Sequence, residues 1–414
     1  MKCKKIFIAI IVLILILLNC SFVFATSDEP NLISESAILI DSKTNKILYS
    51  KNSDKKMYPA STTKILTAIL TLENCNLNDK VTVSDTAILD IPDGYSSANL
   101  QFGEVLTVEQ LLQLLLIHSA NDAANVLAEH VGGSIESFVS MLNTKIHDLG
   151  LENTHFTNSY GLHDENHYTT AYDLAMIMKY CIQNNDFRRI AGSASVAIPA
   201  TNKSSVRKYD STNDLIIPNN KYYYQYLTAG KTGFTTPAGE CLVSSAYKND
   251  IELICVVLGG SQTANSSYLR FSESKELYEY GYNNYGLKSI VSEGNSLYNV
   301  NVDNATKETQ NLDLIAENNL SALVNNDISL DNIKPNITLK QDLIAPISEG
   351  SVIGSAEYDI DGVKYSVNLI ASHNVEKFSI WDYSFYFIAG FLLILVIICL
   401  LKIRAKRLLY NRKG

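Results

Sequence analysis

Three short clusters in this chain combine residue types able to attack, activate and bind. The first is Ser61-Thr62-Thr63-Lys64. A serine and a lysine three apart share one face of a helix, so the amine can reach the hydroxyl. If burial or a neighbouring cation lowers its pKa, such a lysine can serve as the base for that serine. The spacing alone is unspecific, since it also starts at Ser53, Ser205, Ser245 and Ser272. Ser61 differs by its setting after Pro59-Ala60, at the head of a strongly apolar stretch. The plainer account of Thr62 and Thr63 is helix capping. The second cluster, Ser119-Ala120-Asn121, falls in a break between two helical patterns, where rigid neighbours can present side chains. Ser97 and Ser211 begin the same pattern, and Ser119 would otherwise cap a helix with Asn121 and Asp122 in its first turn. The third, Lys231-Thr232-Gly233, occurs once and continues as Phe234-Thr235. A strand edge with a glycine and a cation suits an extended peptide and its carboxylate, and an ordinary turn is the alternative.

The elements that must position these clusters can be read from periodicity and punctuation. Ala37-Asp41 and Lys46-Ser50 are expected as strands around a turn at 42–45. Helices are expected over 61–72, with Pro59 just before the start, over 108–117 after Thr107, and over 121–131 until Gly132-Gly133. Two more follow over 170–181 and 273–282, with a hairpin of 242–247 and 251–258 between them. Strands at both ends with helices between imply one sheet whose first and last strands meet, covered by helices. After about residue 285 the composition shifts to Asn, Asp, Ser and β-branched residues, with glycine turns at Gly350, Gly354 and Gly362, which predicts a small all-β domain.

Taken together and in this order, the three clusters match the S-x-x-K, S-x-N and K-T-G set of penicillin-recognising serine enzymes. The chain resembles the low-molecular-mass penicillin-binding proteins, the serine-type D-alanyl-D-alanine carboxypeptidases (peptidase S11 family). Further matches are Tyr58-Pro59-Ala60, Gly161-Leu162, the run Tyr168 to Leu174, Val256 to Gly259 and Arg270 to Ser274. The resemblance implies an α/β (α+β) fold of the serine β-lactamase and DD-peptidase type, an antiparallel sheet covered by helices over residues 30–285. It implies that Ser61 is the acyl-ester nucleophile, Lys64 the general base, and Ser119 a proton relay together with Lys231. Asn121 would hold a substrate amide. Lys231, Thr232 and Thr235, helped by Arg270, would bind the terminal carboxylate, Gly233 would belong to the same substrate-binding strand, and the N–H groups of Ser61 and Phe234 would form an oxyanion hole. The implied partners are peptidoglycan stem peptides and β-lactam antibiotics, with no cofactor and no metal.

The ends of the chain set its compartment. Residues 1–25 read as a secretory signal, with Lys2, Lys4 and Lys5 ahead of an apolar run and a break at Ala25. Lipoprotein processing at Cys20 and an uncleaved anchor are the alternatives. Phe385–Leu401 is an unbroken apolar run of 17 residues flanked by Trp381 and Tyr383, expected to span a membrane. The basic tail 402–414 follows, which places it in the cytoplasm and residues 26–384, including the β-rich segment 286–378, outside. Members of the resembled family often end instead in an amphipathic helix lying on the membrane. The net charge of -9 conceals this segregation: neither end segment has an acidic residue, so the exported body is far more acidic than the whole. An acidic body without an internal basic block excludes nucleic acid as a partner. Cys75, Cys181, Cys241 and Cys255 are irregularly spaced and read as small buried apolar residues.

Three rival readings remain. His163 and His167, four apart, could suggest a zinc peptidase, but the order is neither H-E-x-x-H nor H-x-x-E-H. A β-lactamase would need a carboxylate to activate the deacylating water, and Asp164 or Glu165 could be nominated. An inactive, anchored wall-binding protein would use the same fold without the chemistry.

Overall fold

The apolar run of the first strand is buried along its whole length because the strand is covered on both faces. The computed structural model describes residues 28–410, apart from 90, 92, 93, 262–267, 341, 342, 380, 382 and 383; the signal segment 1–25 lies outside the described residues. In chain order the first unit contains β1 (Ser36–Asp41), β2 (Ile47–Lys51), a 3₁₀ turn (Ala60–Thr63), α1 (Lys64–Asn74), β3 (Lys80–Thr82), α2 (Asp85–Leu89) and β4 (Val105–Thr107). There follow α3 (Val108–Leu116), α4 (Asn121–Gly132), α5 (Ile135–Asp148), α6 (Ala171–Cys181), α7 (Asn185–Ala191), β5 (Ser195–Ile198) and β6 (Arg207–Asp210). β7 (Leu227–Thr235), β8 (Gly239–Lys248), β9 (Ile251–Gly260) and α8 (Leu269–Asn284) complete it.

The main sheet has the order β2-β1-β9-β8-β7, with every pair antiparallel, so the first hairpin and the last strands do come together. Ile38 and Ile40 of β1 point into the core shared with α1, α3, α4 and α6. Leu39 points the other way, against α8, where Gly281 lies so close that a Cβ there would sit 2.7 Å from the Leu39 and Leu253 methyl groups. Helices therefore cover both faces, and β7 is left as an edge strand.

Helix starts follow their local chemistry. Thr107 and Gln110 form a reciprocal capping box at α3. Ser134, Thr170 and Asn184 cap α5, α6 and α7 through side-chain oxygens. The expected helix at Ser61 is corrected in detail: the chain turns through one 3₁₀ turn before α1 begins at Lys64. Thr62 and Thr63 do not cap; their hydroxyls donate back to the carbonyls of Pro59 and Ala60, at 2.7 and 2.9 Å. Ser119 does not cap α4 either. It takes a left-handed φ of 67° instead. Helices α5 and α7 and the hairpin β5-β6 were not foreseen. The thiols of Cys181, Cys241 and Cys255 are buried, whereas Cys75 is only half-buried, correcting that expectation; all four are free.

The contacts divide the chain between Gly286 and Leu287. The second unit has β10 (Tyr285–Val291) paired with β13 (Leu320–Asn325), and a five-stranded antiparallel sheet. That sheet comprises β11 (Ser296–Asn301), β12 (Asn311–Ala316), β14 (Asn336–Leu339), β15 (Val352–Ile360) and β16 (Val363–Ala371), in the order β11-β12-β16-β15-β14. Its core is Leu312, Leu314, Val324, Ala356, Val367 and Leu369. Last comes α9 (Ser384–Tyr410), long and apolar enough over Ser384–Arg407 to cross a membrane, with large apolar side chains exposed from Phe385 to Ile403.

A buried carboxylate ties the loop ahead of α3 to the head of α4. Asp122 accepts from the Ser97 hydroxyl at 2.6 Å and from the N–H groups of Ala98 and Leu100, both at 3.0 Å. Asp122→Ala leaves buried donors without an acceptor, each costing ~1–3 kcal/mol. Calorimetry should therefore show the first unit destabilised by about 3 kcal/mol, and a loss under about 1 kcal/mol would mean that the loop is held by other contacts.

Candidate active site

Each of the three clusters is delivered by a different element. Ser61 sits in the 3₁₀ turn, Lys64 at the first residue of α1, Ser119 and Asn121 at the α3–α4 junction, and Lys231 to Thr235 on the edge strand β7. They meet around a cleft of about 460 Å³ lined by Ser61, Ser119, Asn121, Thr232, Gly233, Phe234, Thr235 and Arg270. Tyr95, Ser96 and Thr212 line it as well and were not foreseen.

Lys64 is fully buried, and its Nζ has three oxygen neighbours: Ser61 Oγ at 2.8 Å, Asn121 Oδ1 at 2.7 Å and the Tyr160 carbonyl at 2.9 Å. A neutral amine has two N–H bonds and one lone pair. Asn121 and Tyr160 can only accept, so they take the two N–H bonds and the lone pair faces the serine hydroxyl. Burial pushes the Lys64 pKa well below the ordinary lysine range; Lys231 lowers it further, and Asp122 opposes both. Asn121 thus holds the amine in this structure, a contact absent from the role expected of it.

Lys231 is also buried and donates to the Thr232 carbonyl at 2.9 Å. Burial, then the Arg270 charge, lowers its pKa to about 7. The cleft surface beside it carries hydroxyls, and Thr232 and Thr212 share a hydrogen bond of 2.6 Å. Arg270 donates to the Gly233 carbonyl at 3.1 Å, and its backbone N–H reaches Glu240 at 3.5 Å. Gly233 itself marks a close approach: a Cβ there would lie 2.8 Å from the Pro59 carbonyl and 3.0 Å from the Ser61 nitrogen. Only a glycine lets β7 press its backbone against the serine turn.

The rival candidates fare differently. His167 is buried and stacked on Phe156, with its ring centroid 4.8 Å away. Its Nδ1 accepts from the Thr157 N–H at 3.0 Å and its Nε2 lies 2.8 Å from Thr63 Oγ1, so both nitrogens are engaged within the protein. His163 packs edge-on against Tyr58. Asp164 and Glu165 are exposed and do not line the cleft, which has no carboxylate among the described residues.

A buried amine beside a serine hydroxyl, at the edge of an antiparallel sheet with helices on both faces, defines the penicillin-recognising serine enzymes as the class. The chain belongs to the D-alanyl-D-alanine carboxypeptidase family, which it matches over residues 23–262; residues 285–377 match the C-terminal domain of penicillin-binding protein 5. The D-alanyl-D-alanine carboxypeptidase DacF of Bacillus subtilis is 30% identical over 336 residues, 80% of this chain and 82% of its own. The D-alanyl-D-alanine carboxypeptidase DacC of Escherichia coli is 29% identical over 376 residues, 86% of this chain and 89% of its own. The crystal structure of penicillin binding protein 5 from Haemophilus influenzae superposes with a TM-score of 0.66 at 28% identity, covering 85% of this chain and all of that one. The activity is that of a serine-type D-Ala-D-Ala carboxypeptidase in peptidoglycan metabolism.

Burial drives the His167 pKa down to about 3, against an ordinary value near 6.5. The unfolded chain then binds the extra proton across that interval, so the stability contribution is complete above pH 6.5 and is lost as pH falls towards 3. Unfolding free energy should drop by roughly 3 kcal/mol more between pH 6.5 and 4 in wild type than in His167→Gln. Denaturant titrations at the two pH values check this, and equal slopes would mean that His167 is not held neutral.

Proposed function

We propose that Ser61 attacks the carbonyl between the two terminal D-alanines of a peptidoglycan stem peptide, with Lys64 taking its proton. The carrying observation is the buried Lys64 amine, 2.8 Å from Ser61 Oγ, with its other two neighbours able only to accept. The C–N bond breaks after the tetrahedral intermediate forms. The departing D-alanine receives its proton through Ser119 and Lys231, leaving the acyl group on Ser61 until water hydrolyses the ester.

The N–H groups of Ser61 and Phe234 stabilise the oxyanion, a reading supported by the close approach of Gly233 to the serine turn. One such donor is typically worth ~10²–10³ in rate. The substrate lies along β7, the edge strand, as an added strand, and its carboxylate meets Thr232, Thr235 and Arg270, with Lys231 supplying charge from below. A β-lactam enters the same cleft and acylates Ser61.

We also propose the wider layout: a cleaved signal at 1–25, the catalytic domain at 30–285, the β-rich domain at 286–378, a membrane span at 385–401 and a cytoplasmic tail at 402–414. The length and exposure of α9 and the basic residues from Lys402 onward, which begin within its last turns, support this topology. The catalytic body then works on the wall side of the cell membrane.

Intact-protein mass spectrometry tests the chemistry. Wild type should release D-alanine from a pentapeptide ending in D-Ala-D-Ala and carry one long-lived penicillin adduct. Ser61→Ala should do neither; continued D-alanine release by that variant would remove Ser61 from the mechanism. The pH profile gives a second check. As pH falls Lys64 takes a proton and kcat/KM should fall; as pH rises through about 7 Lys231 loses its charge in the free enzyme and kcat/KM should fall again. Lys231→Arg, whose charge persists, should move only the alkaline limb upward, and an unmoved limb would assign it to another group.

A further inference from the structure

His167 has no part in the chemistry above, yet its two ring nitrogens join the two segments that build the nucleophile's surroundings. One segment is the loop from Thr157 to Leu162. Thr157 donates its N–H to His167 Nδ1 at 3.0 Å. Asn158 Oδ1 gathers the N–H groups of Gly161 and Leu162, at 2.7 and 3.0 Å. This loop supplies the Tyr160 carbonyl that holds Lys64. The other segment is the serine turn. Since Nδ1 accepts, the ring proton resides on Nε2, which donates to Thr63 Oγ1 at 2.8 Å. Thr63 passes its own proton on to the Ala60 carbonyl at 2.9 Å.

Ala60, the residue just before Ser61, has a φ of +48°, a left-handed conformation that alanine rarely adopts. Its carbonyl is fixed from two sides: Thr63 donates to it, and Gly161 packs against it so closely that a Cβ would lie 1.9 Å away. Both sides lead to His167, one through Thr63 and one through the loop.

We propose that His167 is a positioning residue: through Thr63 it holds Ala60 in its strained conformation and so aims the Ser61 hydroxyl and N–H. This rests on the reading of Ser61 as nucleophile. The role requires an N–H donor at the Nε2 position, which a glutamine side chain can also supply, whereas a phenylalanine only fills the space.

The test uses the full chain in detergent and compares His167→Phe, His167→Gln, Thr63→Val, Thr63→Ser and the Thr63→Val/His167→Phe pair. Melting curves confirm that each variant is folded. His167→Phe and Thr63→Val should each slow penicillin acylation of Ser61 and kcat on the pentapeptide about 10- to 100-fold, with KM within about twofold. His167→Gln and Thr63→Ser should recover most of that loss, and the double variant should be no slower than the worse single one. The proposal is overturned if folded His167→Phe acylates at the wild-type rate, if Gln is as damaging as Phe, or if the two losses multiply. Failure of the underlying reading looks different: Ser61→Ala itself would still release D-alanine.

Discussion

The structure turns on an amine taken out of water with no carboxylate to pair it. Lys64 at the head of α1 is enclosed by oxygens that accept but carry no full charge, and a second buried cation stands nearby. Both features disfavour the ammonium form, and a neutral amine is what a serine needs beside it. To keep that amine dry and oriented, the fold must bring three separate segments to one point: the end of the serine turn, the first residue of α4 and the loop at Tyr160. The helices packed on the sheet are the frame that makes this convergence repeatable.

The convergence carries conformational strain. Ala60 and Ser119 both adopt left-handed backbone without being glycine; one directly precedes Ser61 and the other lines the cleft. Such residues cost of order 1–3 kcal/mol each and persist only where neighbours over-determine them. Here the neighbours are identifiable: Thr63 and Gly161 close on Ala60, while the backbone around Ser119 is held where Ala120 bonds to Leu114 and Asn121 to Ser96. The main sheet supplies the fixed wall, because Gly233 brings the edge strand into contact with the serine turn.

Much of this was legible in the sequence, for a physical reason. Ser61, Lys64, Ser119, Asn121 and the Lys231 strand, which the structure brings together, carry side chains whose type and spacing leave a pattern, and the sheet closing the two ends of the first unit followed from where the strands lay. The Tyr160 carbonyl left no trace, since any residue has one. His167 was visible only as half of an unconvincing metal pair, because its contact with Thr63, 104 positions away in the chain, is made by the fold. Thr62 and Thr63 were misread because a threonine near a helix start usually caps, whereas here both hydroxyls turn back to stabilise a tight turn. The helix at Ile135–Asp148 does leave a signal in the sequence, a start at Ser134 and apolar residues four apart at Phe138, Leu142 and Ile146.

The pairing of β1 with β9 governs when this enzyme comes into being. Ser36 lies opposite Leu258, so a strand near the start of the chain finds its partner only after more than two hundred further residues have been made. The strand that completes the cleft, β7, is likewise late, although the serine turn is early. Contacts of such long sequence separation make folding slow and cooperative. A growing chain therefore carries Ser61 and Lys64 without their finished surroundings through most of its synthesis. Assembly of the cleft thus waits on closure of the sheet, which sets the edge strand against the serine turn.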